Sequence, residues 1–375
     1  MVRYMKKHTM SKSNKQLYLY LVLFIFFSLI SIYSAEGILN TNNNFFIKQI
    51  IWYILGIIFV FLLTKLNNNI IFKYSNYLYI IGNILLLLLL FFGKSINNAK
   101  CWFSIPYIGS FQPSEFMKII LIIVLSKNAN EFNNKFNSPS LKDEFVFLIK
   151  TFVIVAIPSI LTFLEPDTGV VLIYLLITVF VLFISGIRIR WFLLGISILF
   201  FLIIIILLIY FFNKDLFINI LGTDFFLRID RLLDWSNKSG YQLENGMIAI
   251  GSAGLLGHGF NNTPLYFPEP QTDFIFAVFA SNYGFIGSTI LLIVVLFFDL
   301  YLVNLAKKTN KINKYIISGI LGMLIYQQFQ NIGMTLGIIP ITGITLPFIS
   351  YGGSSLLSYM IIIGLIINMD KEKIS

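Results

Sequence analysis

Runs of about 20 apolar residues recur along the whole of this 375-residue chain, and no other feature restricts its fold so strongly. A helix rises about 1.5 Å per residue, so about 20 apolar residues cross the hydrocarbon core of a bilayer. Hydrophobic residues make up 57% of the chain and charged residues 12%, and the mean hydropathy is +0.84. A soluble domain needs more polar surface than that, so the chain reads as a polytopic membrane protein.

The runs predict an all-α fold of about ten transmembrane helices, at roughly 17–35, 46–63, 74–92, 111–126, 146–164, 168–186, 191–212, 274–303, 315–337 and 349–368. The first run is too long for a signal-peptide core, and Tyr33 stands where a small residue would precede cleavage, so it reads as a retained helix. The expected organisation is a tail over 1–16, one membrane domain over 17–369, and a tail over 370–375. A long loop, 213–273, precedes the eighth helix, and its glycine and aromatic content points to function rather than disorder. No internal repeat supports an inverted-repeat transporter.

The net charge of +10 invites a nucleic-acid reading, but in a membrane chain cations serve first to hold loops in the cytoplasm. With the N-terminus inside, about 18 lysines and arginines fall in cytoplasmic segments, about six outside and about three within spans. That asymmetry predicts both termini in the cytoplasm and no nucleic-acid partner. It puts 93–112, 165–168 and 213–273 outside. The single cysteine, Cys101, excludes an internal disulfide, and two histidines cannot build a His/Cys metal cluster.

Ionisable groups inside spans are costly unless paired, so each marks a candidate site. Glu115 and Lys118, in Gln112-Pro-Ser-Glu-Phe-Met-Lys118, share a helix face at i, i+3. They read as a structural ion pair or as the charged wall of a polar cavity. In Glu165-Pro-Asp-Thr-Gly169, Asp167 is placed to cap the following helix, whereas Glu165 has no such role. Arg228 and Arg231, also i, i+3, suit phosphate oxygens or local pairing with Asp230 and Asp234. Gly246, Gly251, Gly254, Gly257 and Gly259 lack the strand that a nucleotide loop needs and read as close helix packing, with His258 incidental among them. The amides Gln327, Gln328, Gln330 and Asn331 precede a Gly/Pro-rich stretch ending in 346–355, which predicts unwound backbone lining an outward cavity. Asp273, where Pro268-Glu-Pro-Gln-Thr-Asp-Phe-Ile-Phe-Ala277 enters the eighth run, is either a helix-start residue or a catalyst, with Glu269 a supporting carboxylate.

Taken together, in order, these stretches resemble the SEDS family (shape, elongation, division and sporulation), whose members include RodA and FtsW. Trp102 with Phe103, 112–118, 165–169, 251–259, 268–277 and 337–355 carry the resemblance over nearly the whole chain. The family has an arginine before the tryptophan, where this chain has Cys101, with Lys100 beside it as a substitute. The resemblance implies a peptidoglycan glycosyltransferase that polymerises lipid II outside the bacterial cytoplasmic membrane. It also implies a class B penicillin-binding protein as transpeptidase partner, the essential aspartate at Asp273, and a functional tryptophan at Trp102.

Such chemistry needs a base for the acceptor hydroxyl, for which Asp273 is the candidate, and positive charge for a pyrophosphate leaving group. Arg228, Arg231 and Lys118 are the expected cations, with a divalent metal, Mg or Mn, as a further possibility and no metal-ligand set in view. Two rival readings stand beside this one: a flippase or transporter of a lipid-linked precursor, and a non-catalytic scaffold of the cell-wall machinery.

Overall fold

The computed structural model describes residues 12–39, 43–66, 68–96, 99–105, 109–223, 226 and 240–372. Long helices dominate: α1 (Lys12–Leu39), α2 (Phe45–Leu63), α3 (Asn68–Phe92), α4 (Pro113–Lys135), α5 (Leu141–Leu164), α6 (Thr168–Ser185) and α7 (Ile189–Phe212). Two short helices, α8 (Lys214–Leu221) and α9 (Tyr241–Ser252), interrupt what the sequence presents as one loop. Then follow α10 (Ile275–Lys307), α11 (Lys311–Thr335) and α12 (Gly353–Glu372). The helical expectation holds at this level.

Among the described residues, seven helices are long and apolar enough to cross a membrane: α1, α2, α3, α5, α6, α7 and α10. Of the other three long helices, α12 is apolar but shorter over Gly353–Met369, whereas α4 and α11 are more polar and have protein rather than lipid around them. α11 packs along α6 and α4, α12 along α2, and α4 also against α3. The C-terminal half of α11 buries Gln327, Gln328, Gln330 and Asn331, and buried amides find partners across helices that lipid would not supply. α7 is the opposite case: its faces are almost all exposed, and its chief packing partner is α8. Only a lipid surround suits a helix apolar on every face with so little protein against it.

A small three-stranded antiparallel sheet departs from the all-α expectation. It comprises β1 (Lys94–Ile96), β2 (Ala99–Ile105) and β3 (Gly109–Phe111), in the order β1-β2-β3. Strands of three to seven residues carry too little periodic signal to separate from a loop by sequence. Lys94 pairs with Trp102 and Phe103 with Phe111, which folds the segment back over one end of the bundle. Cys101 is buried on β2 and its thiol donates to the Glu165 carbonyl at 3.1 Å, tying the sheet to the α5–α6 turn.

Two glycines fix the other half of that end. Gly284 breaks α10 at φ +62°, and the freed backbone is paired by the 254–259 segment. His258 N–H donates to the Ser281 carbonyl at 2.9 Å, and Phe285 N–H donates to the Gly254 carbonyl at 3.0 Å. A Cβ at Gly257 would run into the Asn282 backbone, so close packing does account for that glycine and for Gly246 against Phe274. Gly251, Gly254 and Gly259 face open space instead. His258 is half-buried, with Nε2 at 3.0 Å from the Ser252 hydroxyl.

Candidate active site

A cavity of about 910 Å³ opens at the end of the bundle that carries the sheet. Seven pieces of chain line it: the start of α2, the sheet, the start of α4, the α5–α6 turn, residues 269–273, Gln327 of α11, and the stretch 342–355 that leads into α12. Asp273, Trp102, Glu115 and Asp167 all face it, though they lie up to 171 positions apart in the chain.

Asp273 sits just before α10 and is half-buried. Its position is set by backbone ties rather than by its own side chain. Asn331 of α11 donates through Nδ2 to the carbonyls of Asp273 (2.9 Å) and Ile344 (2.8 Å), joining the two unwound segments. The Ser350 hydroxyl donates to the Thr272 carbonyl at 2.6 Å, and Tyr351 N–H to the Gln271 carbonyl at 2.8 Å. Gly343, at φ +73°, brings bare backbone beside the carboxylate, where a Cβ would lie 3.5 Å from Oδ2. Burial pushes the Asp273 carboxyl up to about 7, the Glu269 charge adds to the rise, and the Thr272 hydroxyl opposes it.

Glu269 is itself held in place. Its backbone has φ +50°, a region that non-glycine residues seldom adopt. Its carboxylate accepts from Gln271 Nε2 at 2.9 Å and from the Thr272 hydroxyl at 3.0 Å. Both Glu269 and Asp273 line the cavity, so two carboxylates from one turn share its polar floor.

The opposite wall is the ion pair. Lys118 Nζ lies 2.7 Å from Glu115 Oε2, and the ammonium also rests 5.5 Å from the centre of the Tyr359 ring. Glu115 reaches the cavity, whereas Lys118 is fully buried behind it and does not line the cavity. The i, i+3 spacing that brings the two together also draws the ammonium inward. Asp167 caps α6, accepting from Val170 N–H at 3.1 Å, while its other oxygen accepts from Gln112 Nε2 at 3.0 Å. The capping and cavity-lining readings are thus both met in one residue. Burial raises its carboxyl to about 6.

Glu165 lies behind the wall, fully buried and absent from the cavity lining. Burial first, and then Asp167, raise its carboxyl to about 8, so at neutral pH it is mostly protonated. Burial also pushes the neighbouring Cys101 thiol far up, which leaves it inert as a nucleophile. Arg228 and Arg231 lie outside the described residues.

The cations that face the cavity among the described residues are Lys48 of α2 and Lys94 of β1, and sequence reasoning assigned neither. Lys48 carried a usable signal, since it falls inside a predicted span just as Lys118 does. Lys94 is placed by register: strand pairing sets it opposite Trp102. Lys100, expected to stand in for an arginine, is exposed and does not line the cavity. Among the described residues, no group of three or more His, Cys, Asp or Glu side chains converges into a metal-binding set.

A multi-pass helical bundle with an acidic, lysine-edged cavity at one end is the make-up of a membrane-embedded protein that handles a polar group at the lipid boundary. More specifically, the chain belongs to the FtsW/RodA/SpoVE family of cell cycle proteins, whose model matches residues 14–374. It is 33% identical to the probable peptidoglycan glycosyltransferase FtsW of Wigglesworthia glossinidia brevipalpis, over 96% of this chain and 93% of that one. It is 30% identical to the stage V sporulation protein E of Bacillus subtilis, covering 97% of this chain and 99% of that one. A chain of a peptidoglycan synthase complex matches it with a TM-score of 0.76 and 26% identity, over 96% of this chain and 97% of that chain. The rod shape determining protein RodA of Thermus thermophilus matches with a TM-score of 0.69 and 25% identity, over 96% and 97%.

Proposed function

We propose that this protein is a peptidoglycan glycosyltransferase that polymerises lipid II. The observation that carries the reading is a half-buried aspartate, Asp273, raised to about 7 and set in a cavity edged by two lysines. Glycan polymerisation joins the 4-hydroxyl of one sugar to the anomeric carbon of another and expels a lipid pyrophosphate. The acceptor hydroxyl is a weak nucleophile. A carboxylate with proton affinity near the working pH takes its proton as the new C–O bond forms, and an ordinary aspartate, near pKa 3.9, would be a poorer base.

Lys48 and Lys94 supply charge for the departing pyrophosphate as point-charge donors. Glu115, oriented by Lys118, and Asp167, oriented by Gln112, offer acceptors to sugar hydroxyls. Trp102, on β2 opposite Lys94, presents an aromatic face to a sugar ring. Glu165 supports this wall from behind, and Arg228 and Arg231 are assigned to the same anionic group on charge alone. Among the described residues no converging set of His, Cys, Asp or Glu side chains offers a cage for Mg or Mn.

The same proposal covers the membrane arrangement. It has ten spans in a single domain over 17–369 with tails at 1–16 and 370–375, both termini in the cytoplasm, and the cavity outside. Every segment that lines the cavity lies at an end the charge asymmetry assigns to the outer face. A class B penicillin-binding protein is the proposed partner, in keeping with the synthase complex that the fold matches.

The test is polymer formation by purified protein from lipid II supplied directly, for wild type beside Asp273→Ala and Asp273→Asn. Wild type should make glycan strands and both variants should lose activity by at least about 100-fold. Full activity in either variant would overturn the role of Asp273. A wild type that makes no polymer but moves lipid II across vesicles would favour the flippase reading.

A further inference from the structure

We infer that the apolar groove between α2, α4 and α12 seats the head end of the substrate's prenyl chain, with Trp52 as the joint between that seat and the polar cavity. The inference rests on the glycosyltransferase reading and adds to it where the lipid goes.

The groove is a separate hollow of about 280 Å³, walled by Trp52, Phe59, Phe111, Phe116, Leu357 and Ile361. It shares Trp52, Ser110 and Ser354 with the large cavity, so the two spaces adjoin. Among the described residues, the hydroxyls that line it are those of Ser110 and Ser354, at that junction. A sugar or peptide pushed past them would lose its water without gaining hydrogen bonds, whereas a hydrocarbon chain would bury apolar surface.

One face of α2 sets the order of parts. Lys48, Trp52 and Phe59 are spaced by 4 and then 7 residues, so they lie in a row along the helix. Lys48 faces the cavity alone, Trp52 faces both spaces, and Phe59 faces the groove alone. Phe59 is also 46% exposed on the outer surface of the bundle, so the groove opens toward lipid. Cation, indole and apolar wall in that sequence match pyrophosphate, first isoprene and trailing chain.

The joint is held firmly. The indole packs on Gly353, where any Cβ would collide with the ring. Tyr351, which lines the cavity beside it, comes from the unwound stretch that is tied to Gln271. Trp52 is therefore anchored to the stretch that is tied through Gln271 to the segment carrying Asp273, and the prenyl chain's exit is referenced to the base.

The experiment uses the full chain in lipid nanodiscs and a polyprenyl diphosphate carrying a diazirine in its second isoprene unit, with adducts mapped by mass spectrometry. Labelling should fall on Phe111, Phe116, Leu357 or Ile361, and unlabelled polyprenyl diphosphate should compete it away while excess phospholipid does not. Leu357→Trp and, separately, Ile361→Trp should each cut labelling about tenfold and raise KM for lipid II by a similar factor. Leu194→Trp, on the exposed face of α7, should change neither. Adducts on α7, α10 or α11, or labelling displaced equally by phospholipid, would overturn the inference. So would unchanged labelling in both groove variants. Groove labelling by a protein that makes no polymer would leave the seat standing and remove the glycosyltransferase reading. Polymer with labelling elsewhere would do the reverse.

Discussion

At the scale of single residues, one carboxylate and its neighbour carry the most consequence. Asp273 works as a base only when ionised, and burial with Glu269 raises its carboxyl to about 7. The polymerisation rate should therefore climb as pH passes through about 7 and level off above it. Glu269→Gln removes the like charge, so the midpoint should move to lower pH, read from a pH–rate profile. The same shift sets a stability effect. A carboxyl raised above its ordinary value binds more protons folded than unfolded, so stability falls as pH rises from about 4 to about 7. Asp273→Asn should thus raise the unfolding temperature at pH 8 by at least about 2 °C and leave it unchanged at pH 4. The Glu115–Lys118 pair follows a different rule, because its members neutralise each other out of water. Glu115→Ala strands a buried ammonium and should destabilise the protein by about 3–5 kcal/mol in thermal unfolding. Adding Lys118→Met should restore most of that. Activity restored together with stability would mark the pair as structural, and stability without activity would mark Glu115 as a substrate contact.

At the scale of elements, the decisive feature is where helices stop. α10 begins just after Asp273, α12 begins at Gly353, and the stretch between α11 and α12 is unwound along the cavity. The free backbone there is tied by Asn331 and Ser350 rather than left bare. The break at Gly284 depends on Gly257 lying against the Asn282 backbone, and backbone cannot swing aside as a side chain can. Gly257→Ala should therefore cost about 1–3 kcal/mol, measured by thermal unfolding. Because α10 runs unbroken from Ile275 to that kink, the same variant should lower kcat more than it raises KM. The amides and the Gly/Pro-rich run pointed to this unwinding from sequence. The sheet was not legible, and with it went Lys94, whose position follows from its pairing with Trp102 rather than from any pattern along the chain.

At the scale of the whole molecule, the bundle sorts its helices by surroundings. α7 meets lipid on nearly every face, while α4, α11 and α12 bury polar side chains in a protein interior. The cavity gathers at one end of that interior, and the proposed topology makes this the outer end. Cys101 is the chain's one cysteine and is buried, so Cys101→Ser gives a clean background for labelling. In it, Lys94→Cys should react with a membrane-impermeant maleimide added outside intact cells, and Lys308→Cys should react only after permeabilisation. The reverse pattern would invert the topology.

The sequence by itself determined the class of the molecule and the run of helices, because apolar length is a local property of the chain; the candidate base was singled out by the ordered motifs of the family resemblance. Glu115 and Asp167 each carried a structural reading beside a functional one, as ion pair and as helix cap, and Trp102 was marked only by the family resemblance. Only the tertiary structure decided which charges share a space. It drew Lys118 and Glu165 behind the cavity wall, brought Lys48 and Lys94 into its edge, and set an apolar groove against the polar cavity at Trp52. Those outcomes depend on how helices far apart in sequence pack together, and burial, which sets both a carboxylate's proton affinity and a cation's reach, exists only once they have.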